Sequence, residues 1–235
     1  NLRAIKTFFN WCVKRELIEK SPFVDMVSKP KQLPLYIPES LYEKLMQLEW
    51  LDKRYKTAFA FYYETGCRRS EPFLGELHGE WLLIGGYETK QRMDKELSLS
   101  HINLERITEM RAFLESYKGT LDSWVGNLSK TFLKAMREVD GQDTKYHLHC
   151  LRHTFAVRRY LQTRDIYLVK QELGHSSVTT TEKYAKFSFR RLECDFPSLM
   201  NYARSNTNWL NGTQEVGHTS IDISVNPIIS GLTTS

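Results

Sequence analysis

The sequence lacks several features that would point to other classes of protein. No apolar stretch approaches the ~18 residues that a membrane-spanning helix needs, so we expect no membrane segment. Its four cysteines are widely scattered, and no two of them stand in CxxC spacing. This pattern suggests neither a zinc site nor a disulfide framework, and it predicts free thiols in a reducing cytoplasm. No cluster of metal ligands is visible, and we expect no cofactor.

The chain also lacks a strong excess of charge. Its 33 Lys and Arg residues stand against 28 Asp and Glu residues, for a formal net charge of +5. This mild basic excess permits a polyanionic partner without requiring one. Hydrophobic residues make up 41% of the 235 positions, which is enough for a core and too many for a disordered chain. The length fits one ordinary domain, or one domain plus a fragment of another.

Composition along the chain predicts its division into segments. Residues 2–18 have an amphipathic helical pattern directly after Asn1, so we expect a fragment that lacks its native N-terminus. Prolines and lysines around 28–38 predict a linker, assigned to 31–36, between residues 1–30 and a second domain over 37–204. Residues 205–235 are rich in Asn, Thr, Ser and Gly, and they predict a flexible tail or an extended arm.

Hydrophobic periodicity predicts a mixed fold, mainly α-helical, with a small antiparallel three-stranded sheet. Predicted strands cover 81–84, 88–92 and 96–99, with turns at 85–86 and 93–94. Beyond the first helix, the predicted helices lie near 40–50, 53–64, 103–118, 129–140, 149–162, 165–173 and 179–186.

Several polar motifs together supply what metal-free cleavage of a phosphodiester requires. Direct attack needs an oxygen nucleophile, cations around the non-bridging oxygens and a proton donor for the leaving oxygen. Arginine and lysine can supply the positive charge. The candidate motifs are Thr65–Glu71, a strand pair with Lys90, His149–Thr154, and Leu173–Ser177 followed by Tyr184. His149 and Arg152, at i and i+3, would share one helix face.

These motifs resemble the tyrosine recombinase (phage integrase) family. The chain contains T-G-x-R-x-x-E, a lysine on a β-hairpin, H-x-L-R-H-T, L-G-H-S-S and a tyrosine nine residues after the last histidine, in that order. The likeness covers about residues 37–190, which correspond to the family's catalytic domain. Residues 1–30 look like the closing helix of the family's preceding core-binding domain.

The resemblance implies a role for each candidate residue. Tyr184 would attack the scissile phosphate and form a 3′-phosphotyrosine link, and Arg68 and Arg152 would hold the non-bridging oxygens. Lys90 would protonate the leaving 5′-oxygen, and His149 would assist proton transfer to or from the tyrosine. The remaining assignments are His175 as a hydrogen-bond donor to the phosphate, and Glu71 and His153 as supporting residues.

Each of these residues has a plainer interpretation when it is taken alone. Arg68 could be a solvated surface charge, Tyr184 an aromatic at the edge of the core, and His149 a core histidine. Those interpretations do not predict the order and spacing of the motifs. Lys95 lies on the same hairpin as Lys90 and competes with it, because a strand register is easily misplaced by one or two residues.

The predicted function is a site-specific DNA recombinase that acts through a Holliday junction. Alternatives are a type IB topoisomerase-like enzyme and a catalytically silent DNA-binding protein of the same fold. The implied partners are double-stranded DNA, three further copies of the chain in a homo-tetramer, and accessory DNA-bending proteins, in the cytoplasm at the nucleoid. The apolar segment 187–202 could pack on its own domain or, with a slight preference, on a neighbouring protomer.

Overall fold

A computed structural model describes residues 2–22, 32–87 and 94–200 of the chain. The chain divides into two compact units, Asn1–Gln32 and Leu33–Ser235. In residues 2–22, which together with Gln32 are the described part of the first unit, there is one helix, α1, over Leu2–Lys14. The predicted assignments of 1–30, 31–36, 37–204 and 205–235 to particular domains remain predictions.

The second unit is mainly helical, as predicted. Its helices are α2 (Glu39–Gln47), α3 (Lys53–Thr65), α4 (Glu71–Leu74), α5 (His101–Ser116), α6 (Leu121–Asp140), α7 (His149–Thr163), α8 (Ile166–Leu173), α9 (Val178–Thr181), a 3-10 turn (Tyr184–Lys186) and α10 (Phe189–Asp195). Helix α3 packs against α5, α6 and α7. The mixed, mainly α fold class is therefore confirmed.

Helix α3 is bounded by residues that suit helix ends. The Asp52 side chain accepts a hydrogen bond from the Arg54 backbone N–H at 2.8 Å, which satisfies one free donor of the first turn. Gly66 ends the helix with a left-handed φ of 62°. A Cβ at Gly66 would lie 2.4 Å from the Phe155 ring, so only glycine fits between the helix end and α7. This close approach brings the first and second motifs together.

The small sheet is antiparallel and has three strands, but its strands differ from those predicted. They are β1 (Glu76–His78), β2 (Trp81–Ile84) and β3 (Lys95–Ser98), in the order β1-β2-β3. The predicted first strand, 81–84, is the central one. The prediction missed β1 because this three-residue strand contains a single apolar residue, Leu77. The predicted strand 88–92 lies outside the described residues.

Two predicted helices have different bounds in the structure. The predicted helix 179–186 is interrupted: α9 stops at Thr181, and Tyr184 lies on the 3-10 turn. Helix α9 consists of Val178 and three threonines, whose branched side chains disfavour a longer helix. Helix α6 begins at Leu121, eight residues before its predicted start, and the Thr120 side chain caps it.

The segment after Tyr184 packs on its own chain. Phe187, Leu192 and Phe196 are buried in one cluster with Tyr36 and helix α7. The Tyr36 hydroxyl donates a hydrogen bond to Asp195 at 2.5 Å, and its ring meets the Phe187 ring edge-on. These apolar side chains are therefore buried against their own domain. The predicted docking of 187–202 on a neighbouring protomer remains a prediction.

Candidate active site

Arg152 connects three of the predicted motifs. Its guanidinium donates to the backbone oxygen of Gly66 at 2.6 Å and to that of Leu173 at 2.5 Å. The residue is 2% exposed, so burial removes most of its hydration, and the two carbonyls replace it. One side chain thus fixes the end of α3 and the end of α8 relative to α7. The motifs that resemble a recombinase site in sequence are adjacent in space.

Glu71 binds the two other cationic side chains of the site, Arg68 and Lys95. One carboxylate oxygen accepts from the Arg68 guanidinium at 2.7 Å, and the other accepts from the Arg68 backbone N–H at 2.8 Å and from Lys95 Nζ at 2.9 Å. The Glu71 and Lys95 side chains are each 2% exposed, whereas that of Arg68 is 22% exposed. Arg68 is therefore held in place by Glu71, and part of its side chain remains accessible to solvent.

The charges around Glu71 stabilise its ionised form. Burial alone would raise the pKa of this carboxyl, but the Lys95 ammonium and the Arg152 guanidinium outweigh burial and lower the pKa to about 2. One carboxylate thus stands among three cations, and the cluster carries a net positive charge. Such a cluster attracts an anion such as a phosphodiester.

Of the two lysines on the predicted hairpin, Lys95 is among the described residues and Lys90 is not. Lys90 lies outside the described residues, so its predicted role remains a prediction. Lys95 begins β3 and packs its aliphatic stem against Gly174, where a Cβ would lie 3.1 Å from Lys95 Cδ. Its buried ammonium is bound to Glu71. Sequence reasoning missed this ion pair, although an isolated lysine on an apolar strand face was the available signal.

Tyr184 lies beside the arginine cluster and is 3% exposed. Its hydroxyl is 2.9 Å from His153 Nδ1. Burial raises the pKa of Tyr184 to about 12, while the positive charge of Arg152 acts in the opposite direction. The phenol is therefore protonated at neutral pH. A nucleophilic attack from this position needs a group that accepts the phenolic proton.

The three candidate histidines, His149, His153 and His175, all have a lowered pKa. His149 and His153 lie one turn apart on α7, and their ring centroids are 4.7 Å apart in an edge-to-face arrangement. Burial and the neighbouring His149 lower the pKa of His153 to about 3. The exposed His149 has a lowered pKa because the surrounding protein partly desolvates it and Arg152 repels its cationic form.

His175 is held by the last residue of helix α9, which precedes the tyrosine. Its Nδ1 lies 3.0 Å from the hydroxyl of the buried Thr181. Burial and the positive charges of Arg152 and Arg68 lower the pKa of His175 to about 3. With Nδ1 occupied by Thr181, the opposite ring nitrogen is the one available to a ligand.

A cavity of about 410 Å³ lies next to this cluster. Arg68, Lys95 and His175 line it, and so do Tyr167 and Lys170 of α8. The sequence analysis did not single out Tyr167 or Lys170, because a tyrosine and a lysine on an amphipathic helix are common surface residues. Their position beside two predicted site residues adds a cation and an aromatic ring to the approach of a ligand.

Residues 2–22, 32–87 and 94–200 contain no group of three or more His, Cys, Asp or Glu side chains placed to hold a metal ion. Within those same ranges, no helix is both long enough and apolar enough to cross a membrane.

Comparison with known proteins agrees with the motifs. Residues 125–191 match the model of the phage integrase family. The chain is 26% identical over 213 residues to the tyrosine recombinase XerC of Pediococcus pentosaceus, covering 81% of this chain and 71% of that protein. It is 28% identical over 220 residues to XerC of Bacillus licheniformis, covering 80% and 69%.

Solved structures show the same fold. The likeness to a lambda integrase(75-356) dimer bound to a COC′ core site has a TM-score of 0.62 at 16% identity, over 80% of this chain and 72% of that one. The XerH site-specific recombinase bound to palindromic difH substrate gives a TM-score of 0.54 at 21% identity. That match covers 79% of this chain and spans 62% of the XerH chain. In motif order, in sequence and in fold, the chain is similar to the tyrosine recombinases, and the predicted resemblance is confirmed.

Proposed function

We propose that this chain is a site-specific DNA recombinase that cleaves and rejoins DNA through a 3′-phosphotyrosine link formed by Tyr184. The observation that carries the proposal is the pair of hydrogen bonds from Arg152 to Gly66 and Leu173, which join the separate motifs into one site. The similarity to XerC tyrosine recombinases supports the same function.

The two arginines suit the charge of the transition state. Attack on a phosphodiester concentrates negative charge on the non-bridging oxygens, and bidentate guanidinium groups hold such oxygens well. Arg68 is braced by Glu71 and Arg152 by two carbonyls, so neither has to reorganise when DNA arrives. His175, with Nδ1 engaged by Thr181, would donate from its other nitrogen to the same phosphate.

We assign protonation of the leaving 5′-oxygen to Lys90, as the family resemblance implies. The contact of Lys95 with Glu71 supports this choice, because Lys95 would have to leave a buried ion pair to reach DNA. Lys95 therefore acts as a support for Glu71. We further propose that a partner strand's 5′-hydroxyl attacks the phosphotyrosine, which gives a Holliday junction.

The proposed assembly is a homo-tetramer on double-stranded DNA, helped by accessory DNA-bending proteins, in the cytoplasm at the nucleoid. Recombination exchanges strands between two duplexes, and each duplex is cut twice, so four tyrosines are needed. Solved neighbours with the same fold are bound to DNA, including the lambda integrase dimer, and they support DNA as the partner.

Covalent capture tests the proposal on DNA of any sequence. The chain is mixed with a pool of nicked duplexes of random core sequence, in which cleavage releases a short strand that cannot religate. We expect covalent protein–DNA adducts with wild type and none with Tyr184→Phe, and sequencing the captured DNA gives the site. An absence of adducts with wild type would contradict the proposal and favour a silent DNA-binding protein. Supercoil relaxation without recombinant product would favour a topoisomerase.

A further inference from the structure

We propose that Tyr36 is a positioning residue, which holds the 3-10 turn of Tyr184 in the place from which the tyrosine attacks the phosphate. This role rests on the proposed function and concerns a residue outside all of the recombinase motifs. Tyr36 and its neighbour Ile37 contact both of the elements that have to meet at the phosphate: the segment of the nucleophile and the helix of Arg152.

The nucleophile lies on a short element with little local support. Its 3-10 turn has three residues, Tyr184–Lys186, and helix α9 before it has four, Val178–Thr181. Helical segments of this length are not stable through their own backbone hydrogen bonds. The position of Tyr184 therefore depends on the side chains that pack around its turn.

Tyr36 packs on the residues that follow Tyr184. Its ring meets the Phe187 ring edge-on, with the centroids 4.8 Å apart, and its centroid lies 5.5 Å from that of Phe196. Its hydroxyl donates a hydrogen bond to Asp195, the last residue of α10, at 2.5 Å. Tyr36 is 3% exposed and belongs to the same buried cluster as Tyr184. Tyr36 therefore fixes the chain on both sides of α10 as it leaves the 3-10 turn.

The next residue, Ile37, ties the same segment to α7. Its backbone N–H donates to the Thr154 side-chain oxygen at 2.9 Å, and that hydroxyl donates in turn to the Cys150 carbonyl at 2.7 Å. Ile37 and Thr154 are both fully buried. Thr154 lies on the same helix as Arg152, two residues further along. The dipeptide Tyr36–Ile37 therefore joins the helix of the phosphate-binding arginine to the segment of the nucleophile.

This connection matters for the rate because the reacting atoms have to be aligned. Attack needs the tyrosine oxygen about 3–3.5 Å from the phosphorus, and a displacement of about 1 Å costs about 100-fold in rate. Without the Tyr36 ring, the Phe187 side of the site loses a contact that fixes it relative to α7. The Arg152 guanidinium would remain bound to Gly66 and Leu173. Loss of the ring should therefore slow the attack and leave DNA binding unchanged.

Tyr36→Leu tests this role with the duplex recovered by covalent capture. Leucine keeps a buried apolar side chain but removes the ring contact and the hydroxyl. We expect single-turnover adduct formation at saturating DNA to slow about 30-fold, as for a misplaced nucleophile. The DNA concentration that gives half of the maximal rate should be unchanged, and Tyr36→Phe, which keeps the ring, should be close to wild type. A wild-type rate in Tyr36→Leu, or a change in the half-maximal DNA concentration alone, would overturn the proposal.

Phe59→Leu separates misplacement of the tyrosine from a general loss of stability. Phe59 on α3 is also buried, but it belongs to the other core cluster, where its ring packs edge-on against Phe132. The two leucine variants are compared at a temperature at which thermal unfolding shows both to be folded. We expect Phe59→Leu to form adducts at close to the wild-type rate. Equal slowing of the two variants would mean that any loss from the core reduces cleavage, and would overturn the proposal.

A double-mutant cycle tests whether Tyr36 acts through Phe187. The two rings are in direct contact, and effects that pass through a shared contact are not additive. We expect Tyr36→Leu to slow adduct formation about 3-fold in a Phe187→Leu chain rather than about 30-fold, a coupling of the size found for residues in contact. The same slowing in both chains would overturn the proposal. An absence of adducts with wild type would contradict the proposed function instead.

Discussion

The two sides of the site are held by different forces. On one side, Glu71 pairs with the buried Lys95 and the partly buried Arg68, and Arg152 is bound to two backbone carbonyls. On the other side, Tyr184 lies on a 3-10 turn, and among the described residues its hydroxyl has one partner, a neutral histidine. Breaking a buried ion pair costs several kcal/mol, whereas a neutral hydrogen bond contributes about 1 kcal/mol. Ion pairs and charged hydrogen bonds therefore fix the cationic side, whereas Tyr184 is held by the burial of its ring and one neutral hydrogen bond.

The largest expected effect comes from Arg152→Lys, which keeps the positive charge and removes the two-pronged set of guanidinium N–H donors. Lysine cannot bind both carbonyls and a phosphate, so we expect adduct formation with captured DNA to fall on the order of 1,000-fold. The control is Arg69→Lys, at the exposed position that follows Arg68 in the chain, which should cleave at the wild-type rate. Equal rates for the two variants would mean that the rigid side of the site does not contact the reacting phosphate.

Glu71→Gln should destabilise the fold by about 3 kcal/mol, because it leaves the Lys95 ammonium buried without its carboxylate. Urea unfolding of the variant measures this change, with Glu80→Gln on the exposed turn between β1 and β2 as control. In Glu71→Gln/Lys95→Met the unpaired charge is gone, and we expect part of the stability to return. A double variant less stable than Glu71→Gln would contradict the ion-pair account.

Acid should weaken the same cluster. Glu71 has a pKa of about 2 in the folded chain against an ordinary 4.5, so the folded state favours the ionised carboxyl. Its contribution is fully present above pH 4.5 and is lost as the pH falls toward 2. We expect the difference in unfolding free energy between wild type and Glu71→Gln to shrink over this range. A difference independent of pH would show that Glu71 is not held ionised.

Gly174→Ala is expected to have the smallest effect. The residue has a φ of 61°, and an added Cβ would press on Lys95 Cδ at 3.1 Å. The left-handed backbone alone costs a side chain about 1–2 kcal/mol. Thermal unfolding should show a loss of this size, whereas Gly85→Ala, with open space and an ordinary φ, should show little change. Equal melting temperatures would contradict both the backbone cost at Gly174 and the close contact with the Lys95 stem.

The sequence was sufficient to predict the features that depend on a local pattern of residues. Helices α3 and α7 follow from periodicity, and the motif spacing singles out Arg68, Arg152 and Tyr184, whose catalytic roles remain predictions. It did not find β1, whose three residues carry one apolar side chain, or the break before Tyr184. It also did not find the burial of Lys95, because that ion pair joins residues 24 positions apart and depends on how the sheet packs on α4. Such contacts have no periodic signature in a single sequence.

Arg152 has both a structural role and a proposed catalytic role, and this combination has an evolutionary consequence. The guanidinium that would hold a phosphate also ties together the chain ends at Gly66 and Leu173. A lineage that no longer cuts DNA can discard Tyr184 and keep its fold, but it cannot discard Arg152 as easily. Descendants of this chain that serve only as DNA-binding proteins should therefore have lost the tyrosine and retained the arginine, and the survival of that arginine is poor evidence of activity.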